Sequence, residues 1–301
     1  MNKPAYLELH NTGELAKRAS VLQESLKPCN ICPHICSVDR TAGELGICGA
    51  PGQLYVSSIF PHFGEEAPLV GIHGSGTVFL TYCNLRCVFC QNNDISHGGV
   101  GRIYEVQDLA LDMLKLQKIG CHNINFVTPT HYVPQIIDAV AIAADNGLCV
   151  PLVYNTSAYD SVETLKLLDG IVDIYMPDMK FADNETGSRY TQADNYADIM
   201  FKAVMEMHNQ VGDLYINSDG IAVRGLLIRH LVMPNDVSSS ERIFKFISDE
   251  ISIESYVNVM DQYRPCYNAG EFSGINRRVS FNELSNAKKA AKKAGLYRGF
   301  A

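Results

Sequence analysis

The chain has 301 residues, 47% of them hydrophobic, a mean hydropathy of -0.03, and 33 acidic against 25 basic side chains. This composition is typical of one large globular domain, or of one such domain with a small appendage. No apolar run reaches the roughly 18 residues that a membrane span needs, and a net charge of -8 offers no basic surface for nucleic acid. The start of the sequence lacks the basic and then apolar order of a signal peptide. We therefore expect a cytoplasmic protein that binds neither nucleic acid nor membranes.

Cysteine is the unusual residue of this sequence, with ten copies, whereas tryptophan does not occur. Six of the ten cysteines form two tight groups, and Cys48 follows the first group. Disulfides are typical of small exported proteins, but clustered cysteines in a long chain without an export signal indicate metal or redox chemistry.

The N-terminal part begins with one predicted helix and continues as an irregular stretch. Residues 13–26 have helical periodicity. Residues 28–60 are rich in Cys, Gly and Pro and show little helical or strand periodicity, so we expect a bound metal to fix them. On this basis we divide the chain into a cysteine-rich N-terminal segment, 1–68, and a core domain, 69–301.

Strands and helices alternate from about residue 76 onwards. The predicted strands are 76–81, 123–127, 150–155, 171–176, 226–233 and 256–260. The predicted helices are 104–119, 133–146, 161–168, 194–209, 238–248 and 281–294. This alternation indicates a parallel sheet with right-handed crossovers, and six strands are too few for a closed eightfold barrel. We therefore predict an α/β fold, an open partial (β/α)6 barrel, with its chemistry at the carboxyl ends of the strands.

The second cysteine group directly follows the first of these strands. Cys83, Cys87 and Cys90 have the spacing C-x3-C-x2-C, so that one loop presents three thiolates. Three thiolates can hold three corners of a [4Fe–4S] cubane and leave the fourth iron without a protein ligand, which is the open position that catalysis requires. The alternatives are a zinc knuckle or three buried thiols, but structural zinc usually takes four protein ligands and no fourth lies nearby.

The segment from Cys83 to Cys90, with Phe89 immediately before the last cysteine, resembles the cluster loop of the radical S-adenosylmethionine (radical SAM) superfamily. The resemblance covers about residues 76–260. It implies a radical SAM-type barrel, a cluster whose open iron binds SAM, and reductive cleavage of SAM to a 5′-deoxyadenosyl radical that abstracts hydrogen from a substrate. It also implies an oxidoreductase-type enzyme with a flavodoxin- or ferredoxin-type electron donor. Phe89 would pack against the adenine, a role that is compatible with its being a core aromatic residue.

Later segments resemble the activating enzymes of pyruvate formate-lyase, namely 154–157 (YNTS), 173–180 (DIYMPDMK) and 229–234 (RHLVMP). This resemblance implies four SAM-binding residues: Asp178 for the methionine ammonium, Lys180 and His230 for the carboxylate, and Asn155 for the amino group or the ribose. Two residues at i and i+2 at a strand end point to the same side of a sheet, as a zwitterionic ligand requires. The alternatives are a surface ion pair for Asp178 and Lys180, and a core histidine for His230.

One departure from the family concerns the end of the second strand, where a Gly-Gly-Glu stretch usually contacts the methionine amino group. Here residues 125–131 read NFVTPTH, without glycine or glutamate. Thr128 and Thr130 offer hydroxyl and backbone groups in its place, so Thr128 joins the candidate SAM-binding residues. The departure also suggests an outlying subgroup of the activating enzymes.

The first cysteine group is a candidate for a second metal site. Cys29, Cys32 and Cys36, together with Cys48, suit either an all-cysteine zinc site or a second Fe–S cluster. His34 could replace one of these ligands, and the alternative for the whole group is a set of reduced, buried thiols.

Three cysteines are isolated. Cys121 and Cys149 flank strands, so we predict that both are core residues. Cys266 belongs to the polar and aromatic segment 260–267, just past the last strand. That segment is either a contact for substrate or cofactor or an ordinary surface turn.

Three functions are compatible with these features. The leading one is a radical SAM enzyme that activates a glycyl-radical enzyme by abstracting a backbone glycine hydrogen. The second is radical modification of a small molecule or a peptide. The third belongs to another class, a non-catalytic Fe–S or zinc redox module.

Overall fold

A computed structural model describes residues 3–300 of the chain. Within this range nine strands form one sheet. The strands are β1 (Leu54–His62), β2 (Ser75–Leu80), β3 (Arg102–Tyr104), β4 (Ile124–Val127), β5 (Leu152–Thr156), β6 (Ile174–Pro177), β7 (Tyr215–Ile216), β8 (Ala222–Leu231) and β9 (Tyr256–Met260).

Eleven α-helices surround this sheet in the described range. They are α1 (Tyr6–Asn11), α2 (Glu14–Glu24), α3 (Ala67–Val70), α4 (Asn93–Ser96), α5 (Val106–Lys118), α6 (Val133–Asp145), α7 (Val162–Leu167), α8 (Asn184–Thr191), α9 (Tyr196–Val211), α10 (Ser240–Phe246) and α11 (Phe281–Lys293). None of the helices in residues 3–300 is both long and apolar enough to cross a membrane.

The sheet has the order β3-β1-β2-β4-β5-β6-β8-β7, and β9 pairs with β8. The pairings β2–β4, β4–β5, β5–β6, β6–β8 and β8–β9 are all parallel. These six parallel strands, joined by helical crossovers, confirm the predicted open partial (β/α)6 barrel. Strands β1, β3 and β7 add antiparallel pairs to it.

Local sequence signals determine where several helices begin. Ser161 caps α7 because its hydroxyl accepts the backbone N–H of Thr164, and Asp183 caps α8 in the same way. Ser280 and Glu283 form a reciprocal capping box at the start of α11. Caps of this kind contribute about 1 kcal/mol each and fix the length of the loop that precedes the helix.

Strand β1 corrects the expectation that residues 28–60 are irregular throughout. Residues 54–62 form a strand, which pairs antiparallel with β2 from Val56 to His62. The periodicity is weak because only Leu54 and Val56 are buried along it. The predicted boundary after residue 68 falls beyond β1, and the buried residues Tyr6, Leu15 and Leu54 belong to the same apolar core as the barrel strands.

The barrel strands have one face toward the helices and one toward the barrel interior, and β8 illustrates the alternation. Ile228 belongs to the main apolar core on the helix side. His230 lies on that side too, because its ring is 5.0 Å from the ring of Phe244 in α10. Leu227 belongs to a separate apolar cluster inside the barrel, and Arg229 follows it on the same face.

Helix α3 fills the base of the barrel. Leu69 is fully buried in the interior cluster, and the Asn123 side chain donates to its carbonyl (2.9 Å). The other buried members of this cluster are Val153, Ile174, Met176, Leu214, Ala222 and Leu227. The base of the barrel is therefore packed with apolar side chains, and polar interior residues occur nearer the carboxyl ends of the strands.

Candidate active site

The loop that carries Cys83, Cys87 and Cys90 follows β2 and is held by hydrogen bonds on two sides. The backbone N–H groups of Arg86 and Val88 donate to carbonyls at the end of α8 (2.9 and 3.0 Å). The buried Asn84 side chain donates to the carbonyl of Tyr159 (2.7 Å). These contacts fix the loop at the carboxyl end of the sheet, where parallel α/β folds place their chemistry.

The three sulfurs of this loop lie together beside a cation. Burial raises the pKa of the Cys83 thiol to about 12, Cys90 adds to the increase, and Lys180 opposes it. Burial likewise raises the pKa of the Cys87 thiol, again opposed by Lys180. The Cys83 sulfur also accepts the backbone N–H of Leu85 (3.3 Å), a contact that stabilises a thiolate. Three such sulfur ligands fit three corners of a [4Fe–4S] cluster. Burial keeps the thiols protonated when no metal is bound, and iron would replace these protons.

A network of buried charges lies next to these sulfurs. Asp178 accepts from the Lys180 ammonium (2.5 Å) and from Nε of Arg229 (2.7 Å), and Nη2 of Arg229 forms an ion-pair contact with the same carboxylate oxygen (2.7 Å). Arg229 also donates to Oδ1 of Asn155 (2.8 Å), and its Nη1 is 3.9 Å from Glu65. The four charged side chains are 8–18% exposed. The network therefore contains two carboxylates and two cations, contributed by β8 and by the segments that follow β1 and β6.

The two carboxylates of this network differ in their electrostatics. Burial alone would raise the pKa of the Asp178 carboxyl, but Arg229 and Lys180 together hold it below its usual value. Burial raises the pKa of the Glu65 carboxyl, and Arg229 opposes this only in part. Asp178 is thus the carboxylate that stays ionised, whereas Glu65 binds a proton more readily.

Two further candidates lie near this network or the cluster loop. The backbone N–H of Thr128 donates to the carbonyl of Asn155 (2.8 Å), and Thr128 has φ +57° at the end of β4. Phe89 is buried, with its ring 6.0 Å from that of Phe181 and 6.1 Å from that of Tyr263. Phe89 therefore has the environment of a core aromatic residue directly beside Cys90.

His230 lies apart from the network. Its Nδ1 donates to the carbonyl of Met179 (2.8 Å), and its Nε2 is 3.0 Å from the hydroxyl of Ser240. Both ring nitrogens are thus engaged on the helix side of β8, away from Asp178. The structure brings the neighbouring Arg229, rather than His230, to the other predicted residues.

The segment after β9 contacts the cluster loop. The Gln91 side chain donates to the carbonyl of Gln262 (3.3 Å), and the backbone N–H of Asn268 donates to the carbonyl of Val88 (2.9 Å). Cys266 is half-buried within this segment. The segment therefore forms part of the surroundings of the three cysteines.

The profile of the Radical SAM superfamily matches residues 77–247, more than half of the chain. That range contains the three-cysteine loop, Asn155, Asp178 and Lys180. The chain belongs to the radical SAM superfamily. As a radical SAM protein it binds a [4Fe–4S] cluster and SAM and cleaves SAM by radical chemistry, which confirms the cofactors predicted from the sequence.

The curated relatives of this radical SAM protein are from Methanocaldococcus jannaschii. It is 36% identical to "Uncharacterized protein MJ0674" over 299 residues, covering 96% of this chain and 82% of the relative. It is 26% identical to "Uncharacterized protein MJ0808" over 265 residues, covering 82% and 73% of the two chains.

Solved structures of radical SAM enzymes are similar to it at lower identity. A radical SAM methyltransferase from Sphaerobacter thermophilus is 12% identical, with a TM-score of 0.48 over 74% of this chain and 66% of the enzyme. HydG, a maturase of the [FeFe]-hydrogenase, is 15% identical, with a TM-score of 0.49 over 72% of this chain. The radical SAM protein spans about half the length of HydG, 49%.

The first cysteine group adjoins the cluster loop of this radical SAM protein. Burial raises the pKa of the Cys32 thiol to about 12, and Cys48, Cys29 and Cys36 each raise it further, so the four sulfurs lie within electrostatic range of one another. His34 instead bonds through Nε2 to the Asn84 carbonyl (2.7 Å). Within residues 3–300, no three Cys, His, Asp or Glu side chains are already arranged around a single metal ion.

The isolated cysteines near the strands differ from each other. Cys121 is buried, as predicted, but Cys149 is exposed, so that part of the prediction is wrong. The fully buried Leu148 takes the core position beside it. Whether a cysteine next to a strand is buried thus depends on the direction in which its side chain points. Its distance from the strand in the sequence does not determine that direction.

Two residues of the charged network were not among the sequence candidates, Arg229 and Glu65. A signal for Arg229 existed, because Arg229 and Leu227 share one face of an apolar strand whereas His230 lies on the other. Glu65 has no comparable signal. It reaches the barrel interior only because β1 runs antiparallel to β2 and returns the chain to the base of the barrel.

Proposed function

We propose that this radical SAM protein binds its [4Fe–4S] cluster through Cys83, Cys87 and Cys90 and holds the methionine end of SAM in the adjoining charged network. The observation that supports this is the contact of Asp178 with both Lys180 and Arg229, at 2.5–2.7 Å, beside the half-buried thiols of the cluster loop. When bound, the cluster and SAM supply the 5′-deoxyadenosyl radical that abstracts hydrogen from a substrate.

The charges of the network match a zwitterionic amino acid. Asp178 could accept from the methionine ammonium, while Lys180 and Arg229 could donate to the carboxylate. Asn155 joins this arrangement because its Oδ1 accepts from Arg229, and its amide N–H groups are further donors for a ligand carboxylate or hydroxyl. Buried ion pairs contribute little net stability, so a set of four buried charges is better explained by a charged ligand than by folding.

Arg229 replaces His230 in this proposal as the second cation for the carboxylate. A guanidinium can donate two parallel N–H groups to one carboxylate, which a histidine ring cannot do. Thr128, adjacent to Asn155 through its backbone, is the proposed contact from β4. Phe89 is the proposed wall on the adenine side.

The test is anaerobic reconstitution with iron and sulfide, followed by addition of SAM and a reductant, either dithionite or a flavodoxin- or ferredoxin-type donor. We expect 5′-deoxyadenosine from the wild-type protein and none from Cys87→Ala. Cys149→Ala is the matched control, because this cysteine is isolated and exposed, and it should retain the activity. Equal product from Cys87→Ala and from the wild type would contradict the assignment of the cluster loop.

We further propose that the substrate is a backbone glycine of a glycyl-radical enzyme. The resemblance of 154–157, 173–180 and 229–234 to the activating enzymes of pyruvate formate-lyase supports this choice. The readout is the transfer of deuterium from an α-deuterated glycine of the partner into 5′-deoxyadenosine, with the appearance of a glycyl radical signal in electron paramagnetic resonance. Deuterium from a labelled metabolite or peptide instead would overturn the glycyl assignment and leave SAM cleavage standing.

A further inference from the structure

The N-terminal segment that contains Cys29, Cys32, Cys36 and Cys48 has almost no regular structure of its own. Between residues 29 and 50 the only helical element of the described chain is the turn Arg40–Ala42. Three of the four cysteines are nevertheless 6–7% exposed, and Cys36 is half-buried. A short irregular segment has little apolar surface with which to bury four thiols, so an additional source of order is required.

The sulfurs in this segment have the backbone donors that thiolate ligands use. The N–H of Ile47 points at the Cys36 sulfur and the N–H of Ala50 at the Cys48 sulfur, both at 3.4 Å. The spacing from Cys48 to Ala50 equals that from Cys83 to Leu85 in the cluster loop. A neutral thiol is a weak acceptor, whereas a metal-bound thiolate gains from such donors.

The backbone at Gly46 packs directly against the Cys36 sulfur. A Cβ placed on Gly46 would lie 2.8 Å from that sulfur, so a larger residue there would displace the Cys36 side chain. A short bridge of backbone hydrogen bonds closes the other side, from the N–H of Cys29 to Val38 (2.8 Å) and from the N–H of Ser37 to Cys29 (2.9 Å). Backbone contacts thus close the 29–38 segment, which carries three of the four cysteines, and bring Gly46 against it.

Other uses of these four cysteines fit the surroundings less well. None of them is disulfide-bonded. His34, the nearest alternative ligand, bonds to the Asn84 carbonyl, and its ring lies 5.0 Å from that of Tyr159. All four ligands would then be cysteines, which leaves no open position and indicates a structural or electron-transfer centre.

We propose that Cys29, Cys32, Cys36 and Cys48 bind a second metal centre through four thiolates, separate from the cluster of the 83–90 loop. The shared chemistry is a thiophilic metal, supplied either as one zinc ion or as an iron–sulfur cluster. Zinc would draw all four sulfurs to about 2.3 Å from one ion, so the side chains would have to turn inward from their present positions. A cubane needs less movement, because its cysteine sulfurs bind at four separate corners.

The centre would also stabilise the cluster loop. Besides the His34–Asn84 contact, Arg86 of the cluster loop donates through Nε and Nη2 to the carbonyl of Ile47 (3.2 and 2.9 Å), one residue before Cys48. The cluster loop is therefore joined to the residue before Cys48 and to His34, which lies midway between Cys32 and Cys36.

The decisive experiment uses the full chain with Cys29, Cys32, Cys36 and Cys48 intact and the cluster-loop thiols removed, as Cys83→Ala, Cys87→Ala and Cys90→Ala together. After anaerobic preparation we expect this variant to retain either about one zinc per chain or iron and sulfide in equal amounts. X-ray absorption at the edge of the retained metal should show four sulfur neighbours at about 2.3 Å. Either result supports the proposal, and the identity of the metal shows whether the centre is a zinc ion or an iron–sulfur cluster.

Two further variants complete the test. In the background lacking the cluster-loop cysteines, Cys32→Ser and Cys36→Ser together leave only two thiolates, too few for either centre, and should lose the metal, whereas the exposed Cys149→Ser should keep it. If the triple variant folds, by circular dichroism, yet holds neither metal, or if the absorption edge shows fewer than three sulfur neighbours, the proposal is overturned. The readout is metal content rather than 5′-deoxyadenosine, so its failure is distinct from failure of the proposed function.

Discussion

Replacement of Arg229 by methionine tests the charged network directly. The change removes the guanidinium that donates to Asp178 and to Asn155 and forms the ion pair with Asp178, and it leaves Glu65 without its nearby cation. Breaking one partner of a buried ion pair costs about 3–5 kcal/mol. Asp178 retains Lys180 and the side chains are 8–18% exposed, so the lower end applies, about 3 kcal/mol. For a chain of this size that corresponds to a fall in Tm of roughly 5 °C.

The assay is thermal unfolding followed by circular dichroism, with Arg224→Met as the matched control. Arg224 lies on the same strand, and its guanidinium donates to the carbonyl of Gln210 (2.7 Å), a contact whose loss costs about 1–1.5 kcal/mol. We expect the Tm of Arg229→Met to fall at least twice as far as that of Arg224→Met. Equal shifts, or a rise in Tm for Arg229→Met, would refute the view that this guanidinium neutralises the buried carboxylates.

Two further predictions concern the fold. Burial lowers the pKa of His230 to about 4. Below about pH 6.5 this histidine is therefore protonated in the unfolded chain but stays neutral in the folded chain. Because the unfolded chain binds the extra proton, the unfolding free energy falls as the pH is lowered. Between pH 7 and pH 5 the unfolding free energy of the wild type should fall by about 2 kcal/mol more than that of His230→Gln in urea titrations, and parallel pH profiles would contradict this. Gly225→Ala should cost more than about 3 kcal/mol, because φ is +119° and the new Cβ would lie 2.4 Å from the carbonyl oxygen of Asp213. Gly147→Ala, at φ +90° with no atom within 4 Å of the new Cβ, should cost only about 1 kcal/mol, and similar urea midpoints for the two variants would argue against the clash.

The barrel itself was predictable because its strands are short apolar runs separated by amphipathic helices. The predicted strand 256–260 matches β9, and the predicted helix 133–146 matches α6 to within one residue. The periodicity of apolar residues is a local property of the sequence, so it can be recognised without knowledge of tertiary contacts. Strand β1 was missed for the same reason, since an antiparallel strand at the margin of the barrel needs only Leu54 and Val56 buried.

The site residues that belong to a local sequence motif were predictable. Those that reach the site only through the pairing of distant strands were not. The spacing of Cys83, Cys87 and Cys90, and of Asp178 and Lys180, is local. The choice between Arg229 and His230 depends on which face of β8 points inward, a matter of register with β6 and β9. Glu65 depends on the course of the whole segment between β1 and β2.

The apolar side chains packed around Leu69 close the base of the barrel, so ligands reach the barrel interior from one end. Asn258 of β9 strengthens this closure by donating twice to the carboxylate of Glu66, just ahead of the short helix that carries Leu69 (2.9 and 2.8 Å). Reactants that meet near Asp178 cannot pass through that end, so they must come and go on the side of the cysteine loop. A large partner bound on that side would block the release of any ligand that had bound before it. The ligand that binds first would therefore dissociate last.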